Sequence, residues 1–386
     1  MKALSGLALG LALAWAASTT LPARAGEASE AAAAAPRSVD MPDQGAVIPL
    51  SQTEAHPMVQ VAIEGQSFTF LVETGAWFNS ISADAARRLR LPVSHGQAHL
   101  DAVSLGPVVL HDMQARVVRD QPGEVDGQLG LPAFAELLAT MDFPHHQLRL
   151  ARGALPEPDG RQVLQLEAIG PLWGVPMLVG GKTFTALFDT QSGDGFAIAP
   201  PLARQVSFVG KPVETGRVRG PAVGDAAVRT ARLDGDIQLG SYRFARPIVS
   251  SFPVELRFQK LGVWLGPQLL QNFEVTLDQK NRRVRFVHVK GEPLVAAPPP
   301  LGDFGFRVAR DPDGLVRVDA VKPGGDADLA GVAEGDELVT FDQKPAASWT
   351  EGAWRELYGH DTPVRFTVRH GASERQLEVL ATILVP

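Results

Sequence analysis

The sequence predicts a mainly β chain in which one β unit occurs twice, followed by a smaller β module. Three observations carry this expectation. From about residue 46 to 290, short apolar runs alternate with Gly, Pro, Asp and Asn, which is strand-and-turn punctuation with little sustained helical periodicity. Within that stretch two segments recur in the same order. "GQSFTFLVETGAWF" from Gly65 aligns with "GKTFTALFDTQSGD" from Gly181, and "LGLPAFAELLATMDFPHHQLRL" from Leu129 aligns with "LGPQLLQNFEVTLDQKNRRVRF" from Leu265. Finally, a stiff stretch ending in Pro298-Pro299-Pro300 sets the last residues apart.

A chain of 386 residues exceeds what one hydrophobic core usually supports, so several domains are expected. Lys2, the apolar run "LSGLALGLALAWAAS" and the small-x-small triplet Ala23-Arg24-Ala25 read as a signal peptide over residues 1–25. The alternative is a membrane anchor, but the apolar run is shorter than the ~20 residues a spanning helix needs. No later segment is apolar enough to span, so the mature chain is expected to lack a membrane span. A periplasmic or secreted bacterial protein follows. Residues 26–45, rich in Ala, Glu and Pro, read as a flexible lead. Residues 46–155 hold the first copy of the β unit and residues 156–290 the second. Residues 291–300 form the Pro-rich linker, and residues 301–386 the C-terminal module.

Composition narrows the function classes. Hydrophobic residues make up 45% and charged residues 20%, an ordinary globular balance without wholesale disorder. A net charge of -7 disfavours nucleic acid and anionic membrane surfaces as partners. The absence of cysteine removes disulfides, thiolate metal sites and a cysteine nucleophile. His95 and His99 have i,i+4 spacing with Gly96 between them, and His145-His146 falls in an expected turn. Neither pair has a third ligand in view, so no metal is expected. No phosphate loop, dinucleotide fingerprint or G-x-S-x-G elbow occurs, and no cofactor is expected.

The first repeat pairs Phe68 with Phe184, Leu71 with Leu187, and Glu73-Thr74 with Asp189-Thr190 at an offset of 116. The second pairs Gly130 with Gly266, Asp142 with Asp278 and Arg149 with Arg285 at an offset of 136. This arrangement resembles the retropepsin and pepsin-like aspartic peptidases over most of residues 46–290. The resemblance implies a two-lobed acid-protease β-barrel domain in which Glu73 and Asp189 are the catalytic carboxyl groups. It also implies that Thr74, Gly75, Thr190 and Gln191 support the two active-site loops, with Gly130 and Gly266 packed beneath them. The chemistry explains the duplication. Two carboxyl groups ~3 Å apart cannot both ionise, so they share a proton; one activates water and the other polarises the scissile carbonyl.

Both loops depart from the family's Asp-Thr-Gly. Glu73 adds a methylene, changing carboxylate reach where misplacement by ~1 Å costs on the order of a hundredfold in rate. Gln191 adds a side chain where the family keeps glycine. Two functions therefore stand: an endopeptidase using Glu73 and Asp189 on peptides or unfolded protein segments, or a catalytically dead homologue that binds peptides. Flap hairpins are expected within residues 99–118 and 218–244. The six Trp are expected to be core or rim residues, with Trp77 beside the Glu73 loop as a candidate for the cleft wall.

Residues 304–345 resemble a PDZ domain, with Asp303-Phe304-Gly305-Phe306 as the carboxylate loop and Pro323 to Leu338 as its following run. The resemblance implies peptide binding at Phe304, Gly305 and Phe306, where backbone N–H groups converge on a terminal carboxylate and the next strand pairs with the peptide. Ser348 and Glu351 form a capping box that opens a helix. Trp354 and Leu357 on that helix are either groove residues or core. The negative charge of Asp303 opposes a carboxylate ligand, which leaves internal peptides open.

Overall fold

The computed structural model describes residues 25–53, 56–119, 125–190, 192, 195–220, 224–253, 262–289, 301–310, 314–348 and 362–385. Gln191, Glu351, Trp354, Leu357, the Pro-rich linker and all of the expected signal peptide except Ala25 lie outside the described residues. The chain is mainly β, as the punctuation predicts.

Each lobe is built around the same hairpin. In the first, His56–Ile63 pairs antiparallel with Gln66–Glu73, and the turn between them places Glu64 at φ 50° and Gly65 at φ 74°. In the second, Leu172–Val179 pairs with Lys182–Phe188 across Gly180 at φ 56° and Gly181 at φ 81°. A two-residue turn with both φ values positive matches the right-handed twist of the flanking strands, which explains the recurrence of Gly65 at Gly181.

Beyond the hairpin the two lobes continue in step. Gln66–Glu73 runs parallel to Gly127–Gly130, which in turn pairs antiparallel with Asn79–Ser82. Lys182–Phe188 runs parallel to Val263–Leu265, which pairs antiparallel with Phe196–Ile198. The loops that carry Glu73 and Asp189 thus leave the C-terminal end of a central strand whose hydrogen-bonding edges are occupied on both sides.

The lobes meet in a six-stranded sheet to which each contributes three strands. Its order is Val163–Gln165, Arg283–His288, Phe273–Asp278, Leu138–Asp142, Gln147–Ala151 and Ala46–Pro49. At its centre Thr140 faces Thr276, and their hydroxyls lie 2.9 Å apart. These two residues correspond in the second repeat, so the pseudo-twofold axis relating the lobes passes between them. A single hydrophobic core runs through both lobes and includes Phe70, Leu129, Phe188 and Trp264.

Residues 26–45 are not a flexible lead. Helix α1 spans Ala25–Ala34, and Ser38–Asp40 pairs with Val109–His111 of the first lobe. Ala and Glu are strong helix formers, and the helix gains an anchor because Ala34 is buried and Glu30 pairs with Arg116. The first expected flap is a hairpin of Gln97–Leu105 and Val108–Val118 whose Leu100, Val103, Leu105, Val108 and Leu110 enter the core. It is a packed wall of the lobe. The second-lobe hairpin joins Phe208–Gly220 to Gly224–Leu233.

The C-terminal module has its own core, formed by Phe304, Phe306, Phe341 and Phe366 among others. Its sheet runs in the order Phe306–Arg310, Val316–Val321, Glu337–Phe341, Val364–His370 and Ser373–Val379, with Phe306–Arg310 on an edge. Among the described residues no helix is long and apolar enough to cross a membrane.

Candidate active site

Glu73 ends its strand opposite Gly130, and Asp189 follows its strand with its N–H donating to Leu265 O at 3.0 Å. Each carboxylate side chain belongs to a residue only 1% exposed. They converge on Gly75. A Cβ built on that glycine would lie 2.9 Å from Glu73 Oε1 and 3.2 Å from both Cγ and Oδ1 of Asp189. The two carboxyl groups, from different lobes and 116 positions apart in the chain, therefore flank one point. A Cβ there would be crowded by both carboxyl groups, so Gly75 is the residue type that lets the loop backbone approach them.

The added methylene of Glu73 is taken up by the loop itself. Its Oε1 accepts a 2.6 Å hydrogen bond from the Gly75 N–H, while Oε2 is buried without a hydrogen-bond partner among the described residues. Burial, and then the negative charge of Asp189, push the Glu73 carboxyl well above the usual carboxylate range. The Gly75 amide and the Thr190 hydroxyl pull the other way and do not prevail.

This shift has a consequence for stability. A carboxyl group whose pKa rises on folding holds its proton in the native state after the unfolded chain has released it. Its contribution is complete below about pH 4.3, the unfolded value, and declines as pH rises towards the folded value. Glu73→Gln removes this dependence. Thermal unfolding should show the variant gaining on the parent as pH rises from 4 to 8. A difference that stays flat with pH would contradict the assignment.

The two loops are cross-braced by their threonines. The Thr74 N–H donates to Thr190 Oγ1 at 3.1 Å, and the Thr190 N–H donates to Thr74 Oγ1 at 3.2 Å. The Thr190 hydroxyl donates in turn to Val72 O at 2.8 Å. All of these bonds are buried, where a fully satisfied polar network fixes geometry most firmly. Beneath the first loop, Gly130 sits where a Cβ would be 2.3 Å from Phe78 O, and its N–H donates to Asn79 Oδ1 at 3.1 Å. Beneath the second, Gly266 donates its N–H to Gly195 O at 3.1 Å.

The structure thus brings Glu73, Thr74, Gly75, Asp189, Thr190, Gly130 and Gly266 together. It adds His56, whose Nδ1 lies 3.1 Å from Thr190 O. Trp77 does not line the cleft. It is buried, and its Nε1 donates to Glu30 Oε2 of α1 at 3.3 Å. Asp142, His145 and Glu274 lie close together, but the Arg149 guanidinium bonds Asp142 at 2.8 Å and Glu274 at 2.5 Å, so a cation already occupies that seat.

In the C-terminal module Phe304 and Phe306 are buried in the core, and Gly305 adopts φ 79°. The Gly305 N–H donates to Asp303 Oδ1 at 2.8 Å. The loop amide expected to meet a ligand carboxylate is thus engaged by a carboxylate of the loop itself.

Residues 59–133, which contain the Glu73 loop and Gly130, match the family described as aspartyl protease. That match spans most of the first lobe. The second lobe of this aspartic peptidase-like chain repeats the central hairpin with its parallel and antiparallel neighbours. No curated protein sequence matches the chain. Among solved structures, the aspartic proteinase from Irpex lacteus is similar at 13% identity and a TM-score of 0.42, covering 65% of this chain and 99% of that one. The HtrA3 PDZ domain bound to a phage-derived ligand is similar at 17% identity and a TM-score of 0.20, covering 22% of this chain and 86% of that one.

Proposed function

We propose that the chain is an exported endopeptidase that hydrolyses peptide bonds with Glu73, Asp189 and one water. The observation that carries this reading is the convergence of two buried carboxyl groups, one from each lobe, on the backbone of Gly75. Glu73 is the protonated member and Asp189 the base. As water attacks the scissile carbonyl carbon, Asp189 takes a proton from it and Glu73 gives its proton to the carbonyl oxygen. When the tetrahedral diol collapses, Asp189 passes its proton to the leaving nitrogen and Glu73 recovers one from a diol hydroxyl. One water is consumed, one C–N bond breaks, and both carboxyl groups return to their starting states.

The test is incubation of an unfolded protein with the purified chain across pH 3–8, with new termini read by mass spectrometry. New termini support the reading. A substrate that is retained but uncut at every pH supports the second reading, a peptide-binding protein without turnover. What favours that second reading is the Gly75 tether on Glu73 Oε1, together with the burial of Oε2 away from solvent.

The C-terminal module serves as a peptide-docking unit in either case, with Phe306–Arg310, the edge strand among the described residues, pairing to an extended segment. Because Asp303 holds the Gly305 amide, the module favours internal segments over free C-termini. Asp303→Ala should strengthen binding of C-terminal pentapeptides by about tenfold at neutral pH, the scale of one charge-assisted hydrogen bond. Fluorescence titration against the same peptides with amidated ends checks this, and an equal gain for both sets would contradict it.

A further inference from the structure

The outer half of the active-site loop, Ala76 to Asn79, is held by a segment that neither lobe supplies. Glu30 of α1 accepts from three donors: Arg116 Nε to its Oε1 at 2.5 Å, an Arg116 terminal nitrogen to its Oε2 at 2.5 Å, and Trp77 Nε1 to the same Oε2 at 3.3 Å. The side chains of the ion pair are only 14% and 13% exposed, so it is neither screened nor released as a surface pair would be. The Arg116 guanidinium also lies 3.7 Å from the centre of the Phe78 ring, the position of a strong cation–π contact.

A second tie runs through Asn79. Its Nδ2 donates to Ala34 O at the end of α1, at 2.7 Å, and to Gln114 O at 3.2 Å. Its Oδ1 accepts the N–H of Gly130, the glycine beneath the Glu73 loop, at 3.1 Å. Asn79 is wholly buried. Successive residues of the loop, Trp77, Phe78 and Asn79, are each bound to α1 directly or through Arg116.

We propose that α1 is a positioning element for the active-site loop. Glu30 and the Ala34 carbonyl set Trp77 and Asn79, and through them the turn that aims Glu73 past Gly75 at Asp189. The two lobes alone close the loop from within the cleft through Thr74 and Thr190, and α1 closes it from behind. A supporting shell of this kind is what holds a catalytic group within ~0.5 Å of its working geometry. The inference deepens the peptidase reading but does not need turnover for its test.

The test is hydrogen exchange, read by mass spectrometry on the full mature chain, for Glu30→Ala and Glu30→Gln. Glu30→Gln keeps one acceptor oxygen and guards against a helix that fails to dock at all. Glu30→Ala should accelerate exchange across residues 74–80 by about tenfold, Glu30→Gln should lie between it and the parent, and the hairpin His56–Ile63/Gln66–Glu73 should stay protected up to residue 72. If the chain cleaves peptides, kcat should fall in the same order with KM unchanged. Unchanged exchange at 74–80 in Glu30→Ala overturns the proposal. Uniform loosening of the whole first lobe also overturns it, since α1 would then only stabilise the lobe. Absence of cleavage in the parent bears on the peptidase reading and leaves the exchange result to decide this one.

Discussion

Asp189→Asn should reduce peptide cleavage by about 10³-fold or more while leaving thermal unfolding close to that of the parent. Asparagine has the shape of aspartate and retains hydrogen-bonding capacity, so the loop that follows Phe188 keeps its contacts. What it loses is the ability to take a proton from water, and proton transfer by a positioned group contributes ~10²–10⁴-fold. The loss should be larger than for a general base acting alone, because Glu73 cannot deliver its proton productively without an attacking water. Steady-state cleavage of an unfolded substrate, with unfolding followed by circular dichroism on the same preparations, separates chemistry from folding. Retention of even a tenth of the parent rate would remove Asp189 from the mechanism.

Gly130→Ala should be the most damaging of the glycine substitutions in the first lobe. The new Cβ would meet Phe78 O at 2.3 Å and Ala76 O at 2.9 Å, and both atoms are backbone of the active-site loop. Neither can move aside as a side-chain end would. The strand Gly127–Gly130 is pinned between Gln66–Glu73 and Asn79–Ser82, so it cannot retreat either. Overpacking of this kind costs about 3 kcal/mol or more. Gly65→Ala is the comparison. That glycine has φ 74° but open space around it, so its cost is conformational alone, about 1 kcal/mol. Urea unfolding of the two variants measures the gap. Equal midpoints would mean that the loop yields, and that Gly130 does not fix its height above the sheet.

The parts of the site legible in the sequence are those that duplication made visible. Glu73 and Asp189, Thr74 and Thr190, and Gly130 and Gly266 stand out because each has a partner at a fixed offset. The same offsets reappear as physical contacts, between Thr74 and Thr190 and between Thr140 and Thr276. Residues without a counterpart were not legible. Glu30, Asn79 and Arg116 act through tertiary contacts that the repeat does not duplicate, and α1 is mostly alanine, so its sequence has the look of a linker. The one available signal was propensity, since Ala25–Ala34 contains few residues other than Ala and Glu. The sequence leaves Trp77 between core and cleft wall, because a large aromatic beside the Glu73 loop suits both. Only the position of Glu30 decides between them.

The interlobe sheet also dictates the order in which this chain can mature. Leu138–Asp142 finds one neighbour at once, in Gln147–Ala151, but its other neighbour is Phe273–Asp278, far downstream. While the chain is being synthesised N-terminus first, the first lobe must wait with the β edge of Leu138–Asp142 exposed. Such an edge pairs with any extended strand it meets, and contacts this distant in sequence form slowly. The interval between emergence of the first lobe and arrival of the second is thus the period in which the molecule is most open to aggregation and to escort by other proteins.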